Sequence, residues 1–440
     1  MVYKIINDRI TGVPNLEFTP EDASYLGAII GSWYGANSIV VSGRDYNPSS
    51  RMLKRAFISG LMSVGVEVMD FHESVAGEIS YSIKRFGARG GFIVVSNPLL
   101  MDHVMFKIFT NPGIEIVGDK LSSILSKKDI RRVDPHSTGW VSYAEYIHRL
   151  YISALSSFIA YERIMEKKFK VVVDVNHGPA DKIIPELLSY LGVDFILINA
   201  SKPSKKEQYT YPYISNIREI SNIVRSTNAD MGLIFNNDAS LFLLLDENGK
   251  PLIPEEVLLL YSLRIPKEAE VMYTGECFGF VDDLLLMRNI KAYRIKGSIT
   301  EFLSKVAEKR PIIGLDCMGG TIHPLFSLGF DAILGFLKVL EALAYTDKKV
   351  SEVIKYHMYP KYYVVETGID LGEVADSICR EGIGECKPYI GGYRVKIQGG
   401  NVVLTYDPID DVTKILVDIK SPNIGKILET IQGVLSTKKV

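Results

Sequence analysis

The 440-residue chain sets 50 lysines and arginines against 52 aspartates and glutamates, for a formal net charge of −2, with 47% hydrophobic and 23% charged residues. That balance excludes a disordered chain, which would lack apolar surface to bury, and a polyanion-binding protein, which would need excess positive charge. At roughly 150 residues per domain the length implies about three domains, and four compact ones also fit.

Cys277, Cys317, Cys379 and Cys386 form no C-x-x-C pair, so neither a zinc ribbon nor a disulfide framework is expected, and a reducing cytoplasm fits. The amino terminus MVYKIINDRITG lacks an apolar secretory core, and charges interrupt every apolar stretch before the roughly 18 residues a membrane span needs. The expectation is a soluble cytoplasmic protein without a nucleic-acid or membrane partner. The densest basic cluster, Lys127, Lys128, Arg131 and Arg132, contains Asp129 and reads as a solvated surface.

From Met1 to about Leu150 strand and helix alternate. The stretch NSIVVSGRD, Asn37 to Asp45, predicts a buried strand ending in a polar loop; Ser49 and Ser50 precede the helix MLKRAFISGLMSVG, and VEVMDF is the next strand. In GGFIVVSNPLLMDHVMFKIF, Gly90 to Phe109, a run of β-formers from Phe92 to Val95 stops at a Ser-Asn-Pro turn and apolar residues resume at Val104. A loop carrying Ser96 therefore leaves the end of a buried strand, where open α/β sheets usually bind ligands. From Ser142, SYAEYIHRLYISALSSFIAYERI has helical spacing and bridges into a second unit.

That unit begins at Lys170, where KVVVDVNHGPADKIIPELLSYLG predicts a strand, a Gly-Pro turn and an amphipathic helix, followed by the strand DFILIN. A polar loop with Pro203 and Pro212 leads to the helix ISNIREISNIVRSTNA and then to DMGLIFNNDASLFLLLDENGKPL, a strand, loop, strand and turn. A third unit, from about Pro251 to Pro360, holds the helix IPEEVLLLYSL, the strand VMYTG and the long helix FDAILGFLKVLEALA, with the loop LDCMGGTIHP before that helix. From Lys361 the strands YRVKI, NVVLTY and KILVDI precede the final helix NIGKILETIQGVL, a smaller α+β unit.

Several of these loops resemble, in order and spacing, those of the α-D-phosphohexomutases, the phosphoglucomutase and phosphomannomutase family. The family's GRDxRxSS is matched by Gly43-Arg44-Asp45 with Ser49-Ser50, Asn47 replacing the second arginine. Its GTDGIRG is echoed by Asn7, Asp8 and Gly12, with Thr11 where the arginine belongs. Its phosphoserine segment GGIMITASHNPxxxNGIKF falls on the Ser96 turn: with Asn97-Pro98 in register the serine position is Val95 and Ser96 stands at the histidine, whereas a one-residue gap restores the serine and loses the histidine. The resemblance implies an α/β fold of three βαβ-type mixed-sheet domains plus a C-terminal α+β domain around a central cleft, divided at 1–150, 151–249, 250–360 and 361–440.

It also implies one loop for each chemical task. Moving a phosphoryl group between two hydroxyls of one sugar needs a nucleophile, a cation for the transferring oxygens and a clamp for the stationary phosphate. Ser96 is the candidate nucleophile, with His103 and Lys107 as neighbours able to assist; its plain reading is a turn at a strand end. The metal loop DGDADR is matched by residues 236–241, so Asp238, Asn236 and Ser240 are the candidate Mg²⁺ ligands, with two of three carboxylates lost. In the sugar loop, GGExSGH in the family, Asp316 and Gly319 are the candidate contacts. Arg44 and Lys414 are candidate phosphate-binding cations.

The family's phosphate clamp RPSGTEP is replaced by residues 407–413, with Asp407, Asp410 and Asp411. A like charge about 4 Å from a phosphate costs on the order of 4 kcal/mol at an effective dielectric near 20, a factor of roughly a thousand in affinity. These departures lead to the expectation of a catalytically impaired homologue without a cofactor, serving as a non-catalytic subunit, scaffold or altered-ligand binding protein, with a protein partner, a homo-oligomer or a small molecule in the cleft. The alternative is an active hexose-phosphate phosphotransferase using Ser96 as phosphoserine and a weak Mg²⁺ site.

Overall fold

Buried β-formers alternating with amphipathic helices produce the same open sheet three times. The computed structural model describes residues 4–6, 8–98, 100, 102–201, 214–356, 361–380, 383–398 and 400–437. Asn7, Pro203 and Pro212, named above, lie outside the described residues.

In the first sheet, Glu67–Glu73, Ile39–Arg44 and Gly90–Ser96 run parallel side by side, and Val104–Thr110 joins antiparallel. The second repeats this order with Asp194–Ile198, Lys170–Asp174, Met231–Phe235 and antiparallel Phe242–Leu245. The third does so with Lys291–Ile295, Glu270–Thr274, Ile313–Asp316 and antiparallel Gly320–Ile322. A fourth, wholly antiparallel sheet places Tyr362–Thr367, Val412–Asp418, Gly400–Asp407, Gly392–Ile397 and Gly384–Tyr389 in that order. This is the α/β architecture with a C-terminal α+β unit that the sequence implies.

The strand Gly90–Ser96 is buried along its whole length because both sheet faces are covered. Phe92 and Val94 join one core, with Phe57 and Leu61 of the helix Pro48–Met62; Ile93 and Val95 join another, with Ile79 and Ile83 of the helix Ala76–Phe86. The period of two along the strand thus feeds two cores. On the first face the helices Pro20–Tyr34 and Pro48–Met62 meet backbone to backbone: a Cβ added at Gly60 would sit 2.0 Å from the Ser24 carbonyl oxygen, and one at Gly27 would sit 2.1 Å from that of Phe57.

The structure corrects several expectations. The segment from Ser142 opens as the tail of a short strand, Val141–Tyr143, paired with Glu67–Glu73; its helical part breaks at Ile159 and Ala160 into Ile147–Phe158 and Tyr161–Lys167. Sheet hydrogen bonds, a non-local term, override the local helical spacing there. The strand Lys291–Ile295, unmarked in the sequence reading, is an edge strand whose first three residues are exposed, so it carries little apolar pattern. The four cysteines form two disulfides, Cys277–Cys317 and Cys379–Cys386, with Cα separations of 5.5 and 5.8 Å. The first links the loops that leave two adjacent parallel strands, a proximity that a spacing of 40 residues does not advertise. Among the described residues no helix is long and apolar enough to cross a membrane.

Gly60→Ala is expected to lower stability by about 1–3 kcal/mol, the usual range for overpacking, because the obstacle is backbone and not a movable side chain. Chemical denaturation of the variant beside Gly87→Ala, where no atom lies within 4 Å of the added carbon but φ is +63°, separates steric closeness from backbone strain.

Candidate active site

Loops at the carboxyl ends of the parallel strands converge with one edge of the fourth sheet around a cavity of about 430 Å³. Arg9, Asn97 and Lys107 line it from the first sheet, Asn236 and Ser240 from the second, Thr274, Glu276 and Asp316 from the third, and Lys387 from the fourth.

Ser96, the last residue of its strand, is 8% exposed. Its Oγ accepts from Asn47 Nδ2 at 2.9 Å and its backbone N–H donates to Asp45 Oδ2 at 2.6 Å, while its carbonyl accepts from Asn237 Nδ2 at 2.9 Å. Burial pushes the Asp45 carboxyl above its ordinary range, despite the Ser96 N–H and hydroxyl and the Asn47 N–H that partly hold it down. Ser96 is not itself a wall of the cavity; its neighbour Asn97 is. His103, the proposed assistant, has its Nε2 3.5 Å from Glu17 Oε2.

Lys107 reaches across to the second sheet. Its Nζ lies 2.5 Å from Asp238 Oδ2 and donates to Ser240 Oγ at 3.0 Å, with Lys107 5% and Asp238 1% exposed. The other carboxylate oxygen of Asp238 accepts from Ser240 Oγ, from the Ser240 N–H and from Asn236 Nδ2, at 2.7, 3.1 and 2.8 Å. Burial alone would raise Asp238, but the Lys107 ammonium and these donors hold it below the usual carboxylate range. The three candidate metal ligands are thus together, joined by a lysine.

Asp316 lines the cavity and is 9% exposed. Burial, and then the nearby Glu276 charge, push its carboxyl up to about 6, against the Met318 N–H and the charges of Arg394 and Arg9. Gly319 contributes differently from the expectation: it is not on the cavity wall, and its φ of +104° serves the turn that starts the strand Gly320–Ile322.

Two candidate phosphate-binding cations are elsewhere. Arg44 donates to Glu73 Oε1 at 2.6 Å and to the Asp45 carbonyl at 2.9 Å, outside the central cavity. Lys414 is neutralised by Asp407 at 2.5 Å, with Glu366 at 3.4 Å and Asp410 at 3.9 Å. The expected clash of the acidic loop with a phosphate is therefore corrected. Asp407 also caps the Ile409 N–H, Asp411 pairs with Arg218 at 2.7 Å and Tyr406 at 2.6 Å, and none of these residues lines the cavity.

The cavity cations that sequence reading missed are Arg9 and Lys387. Arg9 stands two residues before Thr11, where the motif has its arginine, and its guanidinium grips both oxygens of Glu115 at 2.5 and 2.8 Å. Lys387 lies 2.8 Å from Glu276, on a strand with no motif to mark it.

Asp238→Ala would strand the Lys107 ammonium in a buried site and is expected to cost about 3–5 kcal/mol. The double variant Lys107→Met/Asp238→Leu should recover most of that loss in urea unfolding, because both charges leave together. For Asp316, the folded protein keeps a proton until about 6 that the unfolded chain releases near 3.8, so this group's contribution to stability falls as pH rises through that window. Melting temperatures from pH 4 to 7 should accordingly shift in favour of Asp316→Asn, relative to the parent, as pH rises.

Comparison with known proteins adds three findings. The sequence profiles described as "Phosphoglucomutase/phosphomannomutase, alpha/beta/alpha domain I" and "domain II" match residues 7–130 and 149–249, together just over half of the chain. The phosphoglucosamine/phosphogalactosamine mutase of Sulfurisphaera tokodaii is 27% identical over 377 residues, 83% of this chain and 82% of that protein. The crystal structure of a phosphoglucomutase/phosphomannomutase family protein from Burkholderia thailandensis superposes with a TM-score of 0.76 at 18% identity, covering 100% of this chain and 98% of that one.

The expectation of a protein without a cofactor is corrected by these comparisons. Its relatives are phosphohexomutases by name, the phosphoglucosamine/phosphogalactosamine mutase of Sulfurisphaera tokodaii and the phosphoglucomutase/phosphomannomutase of Thermococcus kodakarensis among them, so the Mg²⁺ that the resemblance implies is the ion to test against the residues present. The oxygens of residues 236–240 fit such an ion in kind: one carboxylate, carboxamides and a hydroxyl, with Asn237 Oδ1 buried and lacking a hydrogen-bond partner. In this structure the Lys107 ammonium holds the Asp238 oxygen that a divalent ion would use.

Proposed function

Because this chain belongs to the phosphoglucomutase/phosphomannomutase family, we propose that it binds a hexose phosphate or hexosamine phosphate in the central cavity and transfers its phosphoryl group, as an active phosphohexomutase. The observation that carries this reading is the cavity itself, whose wall presents Arg9 and Lys107 from the first sheet, Lys387 from the fourth and Asp316 from the third, along with Asp8 and Glu276, while no residue of the acidic 407–411 loop lines it. Cations gather the phosphate oxygens, and a carboxylate that accepts from sugar hydroxyls orients the ring. The non-catalytic scaffold reading rested on departures in all four loops; of these, the acidic 407–413 loop has its charges met locally by Lys414, Arg218 and Tyr406.

In this proposal the phosphoryl group passes to Ser96 Oγ as its bond to the sugar oxygen breaks; Asp45, whose carboxyl is lifted by burial, takes the serine proton, and the departing sugar oxygen leaves as the hydroxyl when that proton is returned. Asn47 Nδ2 and Asn237 Nδ2 hold the serine in place. Asp238, with Asn236, Asn237 and Ser240, would hold Mg²⁺, which supplies neutralising charge to the transferring oxygens when bound. Lys107 supplies positive charge at the same place, so the ammonium and the ion compete for one carboxylate.

Incubation with glucose 1,6-bisphosphate and Mg²⁺ should add one phosphoryl group to the intact mass, absent in Ser96→Ala. Mutase turnover of the glucose or glucosamine phosphates should fall at least a hundredfold in that variant. Tight binding of the sugar phosphate with no transfer in either protein would retain the ligand and refute the chemistry.

A further inference from the structure

A second pocket is lined by Arg44, Arg51, Lys54, Arg55, Asp70 and His72 and has a volume of about 120 Å³. We propose that it is a binding site for the phosphate group of a small phosphorylated molecule, separate from the central cavity; that binding does not rest on the function assigned there.

The charges do not balance internally. Lys54, 2% exposed, pairs with Asp70, and burial brings its pKa down to about 8. Arg44 pairs with Glu73, which Lys182 also claims at 2.9 Å. That leaves Arg51 and Arg55, one turn apart on the helix Pro48–Met62, whose guanidinium groups have no hydrogen-bond or ion-pair partner among the described residues. The first turn of that helix contains no acidic residue. These two guanidinium groups beside one pocket are open to an anion, and guanidinium forks match phosphate oxygens in pairs.

The volume is well under the 300 Å³ or so usual for a whole metabolite, so it takes a phosphate or diphosphate group and leaves the remainder outside. Tyr143, 67% exposed on the pocket rim and stacked on His72 at 5.0 Å, is the surface on which a nucleobase would lie. The site also has a route to Ser96. Arg44 donates to the Asp45 carbonyl, and the Asp45 carboxylate receives the Ser96 N–H, so an anion that draws Arg44 from Glu73 acts on the loop that holds the serine.

Calorimetric titration of the full chain with inorganic pyrophosphate and with ADP, in EDTA, tests the site. Arg51→Ala/Arg55→Ala should weaken pyrophosphate binding at least tenfold while Lys309→Ala, an exposed cation outside both pockets, leaves it unchanged; both arginines are exposed, so the variant should melt with the parent. ADP binding tighter than pyrophosphate and weakened by Tyr143→Ala identifies a nucleotide, and equal binding identifies the phosphate group alone. No measurable binding, or binding indifferent to the double variant, overturns the proposal.

Discussion

The buried ion pair between Lys107 and Asp238 is the constraint on which the cleft depends. It joins the middle of the strand Val104–Thr110 to the loop between Met231–Phe235 and Phe242–Leu245, and thereby the first sheet to the second. Neither charge is stable alone in that environment, so the two sheets cannot part there without hydrating both groups. The same loop is fastened again by Asn237 on the Ser96 carbonyl and by the Ala76 N–H on the Asp238 carbonyl. Ser96 is therefore positioned from the second sheet as much as from its own.

The other wall is held by a comparable device. Arg394 of the fourth sheet grips both oxygens of Glu255, at 2.9 and 2.6 Å, and also donates to the carbonyl of Cys317, whose disulfide with Cys277 ties two strand-end loops of the third sheet. Lys387, on the neighbouring strand, is carried to the cavity by that anchoring. One buried pair fastens the first sheet to the second and the other the third to the fourth, and Lys107 also lines the space where a ligand sits.

The loops that depart most from the family pattern have been rewired internally. In residues 236–241 the lost carboxylates are replaced by amides and a hydroxyl that hydrogen-bond to the remaining aspartate, and in residues 407–413 the new carboxylates are satisfied by Lys414, Arg218, Tyr406 and backbone N–H groups. A substitution that reads as a reversal of charge along the chain is, in three dimensions, a local neutralisation. The charge a ligand meets is that of Arg9, Lys107, Lys387, Asp8, Glu276 and Asp316, drawn from all sheets but the second.

By itself the sequence determined the architecture: runs such as Phe92 to Val95, the helix spacing after Ser49 and the turn at Asn97-Pro98 are local patterns, and local sterics with apolar burial suffice to make them strands, helices and loop. It also named Ser96, which ends its strand, and, through the resemblance of two loops to the family's motifs, Asp238 and Asp316. Tertiary structure alone decided which charges face one another. Arg9 with Glu115, Lys107 with Asp238 and Arg394 with Glu255 are separated by 106, 131 and 139 residues, and the pairing of Cys277 with Cys317 spans 40. Electrostatic and disulfide partners are chosen by distance in space, which no period along the chain encodes.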